Sequence, residues 1–271
     1  MNTDIPSEAA FPPELVCPAV STDVAAFMLK REEKRSYRKN ASSRLGILLI
    51  RRGIPPFLGQ WALPGGFLRA EETVEECALR EIGEETGITP NALVPLGTYS
   101  RIDRDPRGRV ISNAFLAVLS EDPGQQRGGF DASDAQWFEI EFSEEAEGIH
   151  LLKLSCGGTV LTARLEQTGS RLGKLTFRVL ENEGLAFDHA QIIADAMTAL
   201  RASARTPELV LELLPEKFTL SALQQVQETI TNTTDAPANF RRKIAEYVEE
   251  TEEYASGNGH RPAKIYTKRK K

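Results

Sequence analysis

The sequence predicts an α/β chain that ends in a winged helix-turn-helix module. Three observations predict it. Short apolar runs of strand type recur through the first 180 residues. One clear helical pattern, Glu72–Thr86, interrupts them. Residues 206–271 then hold three short helical patterns followed by a hairpin signal.

Taken in order, residues 1–19 are rich in Pro and Ala, show no period and are expected to form a loose arm. Val20–Leu29 and Leu45–Arg51 read as partner strands. Lys30–Arg44 joins them and is strongly basic; it reads as a solvated hairpin tip or as a nucleic-acid patch. Gly53, Pro55, Pro56 and Gly59 mark an irregular loop that leads to Trp61–Pro64 and the Gly65-Gly66 pair. In the helix Glu72–Thr86, Val74, Cys77, Ala78 and Ile82 keep a 3–4 spacing, and Gly87 stands where a C-cap belongs. Leu93–Arg101 and Val110–Leu119 read as strands around the basic loop Arg101–Arg109. Ala135–Ile140 reads as a strand before the acidic stretch Glu141–Glu147. Residues 150–180 alternate apolar and polar side chains about a turn at Gly157-Gly158. Asp188 is expected to cap a helix over 189–204, with Ile192, Ile193, Ala196, Met197 and Leu200 on its apolar side.

After a boundary near 203–208, a short helix covers Glu208–Leu214. Ser221 with Gln224 three residues on reads as a capping box that opens a second helix. The turn Asn232–Asp235 precedes a third helix, capped by Asn239 and continuing as AEYVEETEEY. Gly257–Tyr266 reads as a hairpin or wing. The expected domains are thus 20–150, a connecting β/α segment 151–205 packed on it, and a winged-helix-like unit 206–271.

Composition excludes several classes. The chain has 271 residues, 41% hydrophobic, with 33 Lys/Arg against 39 Asp/Glu and a formal charge of −6, which argues against disorder. No apolar run approaches the ~20 residues of a membrane span. Asp4, Glu8 and Glu14 leave no basic, then apolar, secretory start. Three cysteines, Cys17, Cys77 and Cys156, form no CxxC pair and fit a reducing cytoplasm. Residues 206–271 hold ten basic and ten acidic side chains, so the first 205 residues carry the whole −6. Residues 260–271 hold six basic side chains and no acid, which suggests a second kind of partner there.

The informative stretch is Gly66–Ile88, GFLRAEETVEECALREIGEETGI. Glu81, Glu84 and Glu85 stand at i, i+3 and i+4 and project to one side of the helix. No Lys or Arg interleaves them after Arg80. Three like charges there repel, and a divalent cation with a taste for hard oxygen ligands, Mg²⁺ or Mn²⁺, relieves them. A solvated acidic face is the other reading of such spacing taken alone. His150 and His189 have no visible partner in sequence and read as structural.

The pattern Gly66, Glu72, then Arg80-Glu81-Ile82-x-Glu84-Glu85-x-Gly87-Ile88 resembles the signature of the Nudix hydrolases at every fixed position. The resemblance implies an α/β/α sandwich with a mixed sheet and hydrolysis of a pyrophosphate bond in a nucleoside diphosphate derivative. It implies Glu81 and Glu85 as principal metal ligands, and Glu84 as a ligand or the group that orients the attacking water. It gives Gly66 a place close to the metal, with its carbonyl as a possible ligand, and pairs Glu72 with Arg80 to hold the loop on the helix. RDPRGRV together with WALPGGF resembles the ADP-ribose pyrophosphatase-like branch. That implies ligand contacts from Arg101, Arg104 or Arg109, with Trp61 or Phe67 stacking on a base or packing in the core. A catalytic base outside the box is also conceivable, with candidates in Glu139–Glu147.

Leu213–Ile230, Asn239–Ile244 and Gly259–Tyr266 resemble the winged helix of Nudix-related transcriptional regulators. The resemblance implies that Asn239, Arg241, Arg242 and Lys243 face a DNA major groove and that Arg261 and Lys264 reach phosphate or the minor groove. Glu246, Glu249, Glu250, Glu252 and Glu253 oppose it, so double-stranded DNA binding and a module used only for packing both stay open. A homodimer is expected by the same resemblance. Two functions compete: a metal-dependent pyrophosphohydrolase of an ADP-ribose-like nucleotide, and a regulator that senses such a ligand. The intact box puts hydrolysis first.

Overall fold

A computed structural model describes residues 17–31, 43–120, 135–171, 174–204, 207–255 and 262–269. Most of the arm, residues 32–42 of the Lys30–Arg44 tip and Arg261 lie outside them.

The first strands are β1 (Ala19–Arg31), β2 (Ser43–Arg51), β3 (Trp61–Ala62) and β4 (Gly65–Phe67). After helix α1 (Val74–Thr86) come β5 (Ala92–Tyr99), β6 (Val110–Leu119), β7 (Ala135–Ala146), β8 (Ile149–Cys156), β9 (Thr159–Arg171) and β10 (Lys174–Glu183). All ten form one sheet in the order β10-β9-β8-β7-β2-β1-β6-β5, with β3 on β2 and β4 on β1. Only β1 and β6 run parallel, from Ala19 opposite Val110 to Met28 opposite Leu119. The sheet is therefore mixed. The 151–205 segment extends it: β8, β9 and β10 continue the same ladder. The acidic stretch Glu141–Glu147 was expected to follow a strand. It is largely strand itself, because Glu141 and Lys153, opposite each other, form an ion pair.

The period-2 alternation of β1 decides what each face covers. Val24 and Ala26 join Leu48, Phe115 and Ala117 against Ala78 and Ile82 of α1. Ala25, Phe27 and Leu29 point the other way, into a core with Ile47, Leu49 and Phe138. There α2 (His189–Ser203) buries Ile192, Ile193, Ala196, Met197 and Leu200. Helices on both faces make the α/β/α sandwich.

Local chemistry starts α1 two residues later than the sequence suggests and ends it at Thr86 as expected. Thr73 is the N-cap: its hydroxyl accepts from the Glu76 amide, and the Glu76 carboxylate accepts from the Thr73 amide. Glu72 lies in the preceding loop. Gly87 closes the helix at φ 70°, a conformation that favours glycine. Asp188 precedes α2 but gives it no side-chain cap; its carboxylate is engaged elsewhere.

The C-terminal unit comprises α3 (Glu208–Leu211), β11 (Lys217–Thr219), α4 (Leu220–Thr231), α5 (Pro237–Ile244), β12 (Val248–Ala255) and β13 (Ala263–Lys268). Its sheet order is β11-β13-β12. Three expectations are corrected. The N-cap of α4 is Thr219, which accepts from Ala222, so Ser221 opens nothing. Asn239 lies inside α5, which starts at Pro237 behind Ala236. Helix α5 stops at Ile244, and the acidic segment that was to prolong it forms β12 instead, the first strand of the wing. Phe218, Leu223, Val226, Phe240, Ile244 and Val248 build a core continuous with the main one, and α4 also packs on β2. No helix among the described residues is long and apolar enough to cross a membrane.

Thr73→Ala removes the hydroxyl half of the capping box and leaves the backbone amide that donates to Glu76. It should cost about 1 kcal/mol in urea unfolding; a loss under ~0.3 kcal/mol would show that the box does not hold the helix start.

Candidate nucleotide pocket and basic helix

The site is built where β1, β4, α1 and the start of α2 meet. One pocket is lined by Thr22 and Asp23 of β1, Arg52, Gly65–Phe67, Glu85 of α1, Arg104, Asp105, Arg107, Phe187 and His189.

Its floor is a buried charge network. Arg104, 5% exposed, donates to both oxygens of Asp188, at 2.8 and 3.0 Å, and to Asp23 at 3.1 Å. Ser112 donates to the same Asp23 oxygen at 2.5 Å. His189 accepts from the Leu63 amide on Nδ1 at 2.9 Å and places Nε2 3.3 Å from Asp23. Burial alone would raise the Asp23 carboxyl, but His189, Arg104 and Ser112 together hold it well below the ordinary range. Arg104 thus lines the pocket as a buried cation whose guanidinium is bonded to two carboxylates.

The mouth carries two other cations. Asp105 holds the Arg107 guanidinium with two bonds, at 2.7 and 3.0 Å. Arg107 lies 5.0 Å from the Phe67 ring centroid and 5.8 Å from that of Phe187. Arg52 lies 4.7 Å from the other aromatic contact of the set, the Phe187 ring, and donates to the Pro56 carbonyl at 2.7 Å. Burial, and then the like charge of Arg107, lowers the Arg52 guanidinium from its ordinary value. Two guanidiniums that repel across one pocket are a place for an anion, and the exposed Phe67 ring beside them offers a flat apolar surface.

Sequence reasoning missed Arg52, Arg107 and Phe187. Arg101 instead pairs with Asp103 in solvent, and Arg109 donates to the Ser100 and Arg101 carbonyls. Trp61 is buried against Phe138, ring centroids 4.7 Å apart, because β3 is stapled to β2. It packs in the core and does not line this pocket. The usable signals were Asp105 two residues before Arg107, and Phe187 directly ahead of a helix. None of Glu139–Glu147 lines the pocket.

The three carboxylates of α1 are not equivalent. Glu72 accepts from the Arg69 amide at 2.7 Å and from Arg80 at 2.7 and 2.8 Å, bonds that lower its carboxyl to about 2. Arg80 also reaches Glu81 at 2.6 Å and Glu84 at 3.2 Å, and Arg69 reaches Glu84 at 3.3 Å. Arginines therefore relieve the repulsion that sequence reasoning left to a cation. Among the described residues no group of three acidic side chains is gathered as a ready metal cage. Glu85 stands apart. Burial, then the neighbouring charges of Glu81 and Asp23, push its carboxyl up to about 8 against the Gly65 amide, which donates to it at 3.0 Å, and Arg52. At Gly66 the backbone lies so close to the Glu81 carboxylate that any Cβ would collide with it. Hard oxygen donors, one of them short of positive charge, fit a divalent cation.

The second surface is α5. Asn239, Arg241, Arg242 and Lys243 are all exposed, while Phe240 and Ile244 anchor the helix. Lys243 pairs with Asp235 at 2.8 Å. The wing acids are largely matched: Glu249 by Arg269, Glu250 by Lys264 and Glu253 by Lys217. Lys264 also lies 5.0 Å from the Tyr254 ring centroid, so it is engaged within the wing.

The family model for the NUDIX domain matches residues 24–149, and that for the NrtR DNA-binding winged helix domain matches residues 210–267. The ADP-ribose pyrophosphatase of Methanocaldococcus jannaschii is 51% identical over 94 residues, 35% of this chain and 54% of the relative, so the likeness spans about half of that protein. The ADPR responsive transcriptional repressor NtrR of Acinetobacter baylyi is 29% identical over 256 residues, 92% of this chain and 81% of the relative. The crystal structure of Shewanella oneidensis NrtR complexed with a 27mer DNA is 25% identical, with a TM-score of 0.63, covering 92% of this chain and 93% of that one.

Arg104→Met should cost about 3–5 kcal/mol in urea unfolding at pH 7, because it strands two buried carboxylates. A loss below ~1 kcal/mol would mean that the network does not hold the pocket floor.

Proposed function

We propose that this chain, which carries a Nudix domain followed by a winged-helix domain of the NrtR type, is a DNA-binding regulator whose Nudix pocket takes an ADP-ribose-like nucleotide. One observation carries the reading: a pocket suited to a nucleoside diphosphate and an exposed basic helix stand in one chain that aligns with an ADPR responsive repressor over 92% of its length. In the pocket, Arg107 and Arg52 would neutralise the diphosphate, and the Phe67 and Phe187 rings would face the base. On α5, Asn239, Arg241 and Arg242 would read base edges in a major groove, and Lys243 would meet phosphate. The matched wing acids lessen the repulsion that would otherwise oppose a duplex. A homodimer in the cytoplasm would bring two such helices to two half-sites.

The complete box supports hydrolysis as a second activity of the same pocket. Glu81, Glu84, Glu85 and the Gly66 carbonyl would hold Mg²⁺ or Mn²⁺. When bound, the ion would offset the diphosphate charge and acidify a water molecule. Of these groups Glu85 and Gly66 line the pocket, while Arg80 and Glu72 fix the loop that carries Gly66. Arg107 and Arg52 would orient the diphosphate, and the closed floor of Asp23, Arg104 and His189 would keep the reacting end in place.

Purified protein should bind ADP-ribose in calorimetry and retard a duplex from its gene's upstream region. Arg241→Ala with Arg242→Ala should weaken DNA binding at least about tenfold and lower the salt slope by about 2. With Mg²⁺, AMP should be released, and Glu85→Gln should suppress that release by more than about a hundredfold. No binding of either ligand sinks the reading; binding without AMP release sinks only the second activity.

A further inference from the structure

Helix α2 joins the two sites. It has 15 residues, so at ~1.5 Å per residue it spans about 22 Å. Its leading end belongs to the pocket. Phe187 lines the wall beside Arg52 and Arg107 and holds φ at +52°, a left-handed conformation that a phenylalanine rarely adopts. Asp188 receives Arg104, and His189 receives the Leu63 amide. Between its ends the helix is packed on most sides, with Ala190, Ile192, Ile193, Ala194, Ala196 and Met197 all buried. A rod packed in this way moves as a body or not at all.

Its trailing end belongs to the winged helix. Arg201 donates through Nη2 to the Phe142 carbonyl of β7 at 2.5 Å and through Nε to the Ile230 carbonyl of α4 at 3.2 Å. Its guanidinium lies 5.5 Å from the Phe142 ring centroid. It forms no ion pair among the described residues, although burial lowers it from its ordinary value. A half-buried cation that serves only two carbonyls is costly unless its position matters. Ile230 stands in the last turn of α4, where carbonyls have no helical partner. Two residues on, Asn232 turns left-handed at φ 54° and starts the turn into α5. Gln224 ties that turn to α4 through the Asp235 carbonyl. The Ile230 carbonyl thus stands at the head of the turn that leads into the helix carrying Arg241 and Arg242.

We propose that α2 couples the nucleotide pocket to the recognition helix, with Arg201 as the joint. A nucleotide seated beside Arg107 and Phe187 shifts the leading end of α2, and Arg201 passes the shift to the end of α4. The inference rests on the regulatory reading above. It adds the route by which one site biases the other, and the bias is reciprocal. Arg201 touches neither ligand, so it acts on the coupling between the affinities and not on the affinities themselves.

The test is a thermodynamic cycle on the full chain, with ADP-ribose and the upstream duplex as probes. In the wild type, saturating ADP-ribose should change the DNA Kd by about tenfold or more. In Arg201→Gln each affinity measured alone should stay within about threefold, while the ratio of the two DNA Kd values falls to within about twofold of one. Arg201→Lys keeps the charge but not the two-pronged reach; it should melt with the wild type and also lose the coupling. If either folded variant keeps the full ratio, the route through Arg201 is overturned. If the wild type shows no response to ADP-ribose, it is the regulatory reading that fails, and the coupling with it.

Discussion

The rest of the structure depends on one constraint, the compensation of the buried charge of Arg104. A guanidinium that is only 5% exposed must have its hydrogen bonds and its charge answered from nearby. Asp23 answers from the first strand and Asp188 from the threshold of α2, 165 residues later. The network therefore fixes three distant segments relative to one another. It explains why Asp188 does not cap its own helix, and why Arg107, two bonds from Asp105, is carried to the pocket mouth instead. It also sets Phe187 and His189 against the wall, since they flank the aspartate that Arg104 holds.

The pocket that results has a negative depth and a positive mouth. Burial and the charges of Glu81 and Asp23 disfavour the ionised Glu85 carboxylate, and Arg52 and Arg107 repel each other unless an anion lies near. A diphosphate with a divalent cation answers both deficits together. The other two box carboxylates need less help, because Arg80 and Arg69 already neutralise them. That division suits a pocket that can hold a nucleotide as a signal. It does not prevent hydrolysis, since every box position is filled. The full-length likeness to a repressor moves regulation ahead of the hydrolysis that the intact box alone had favoured.

Much of the fold was legible in the sequence where local chemistry decides it. The 3–4 spacing of α1, the left-handed Gly87 and the alternation of β1 each depend on neighbours in the chain. The winged outline was legible too, because its helices and turn are short-range patterns. Three features were not. VEETEEYA has no strand composition and becomes β12 through cross-strand pairs, Glu250 with Lys264 and Tyr266 among them. Thr219 outcompetes Ser221 as a cap because β11 delivers it in an extended conformation. The pocket arginines were hidden because Arg52 and Arg107 meet only after the chain has folded; a count of arginines in the loop favoured Arg101, Arg104 and Arg109, which the structure gives to solvent, to the buried network and to loop carbonyls.

Pocket, α2 and winged helix should respond to the nucleotide as one body. Hydrogen exchange of the full chain with and without ADP-ribose tests it most directly. Altered protection is expected along α2 and at the end of α4, as well as in residues 101–109. A change confined to the pocket segments, with α2 and α4 exchanging as in the free protein, would contradict it.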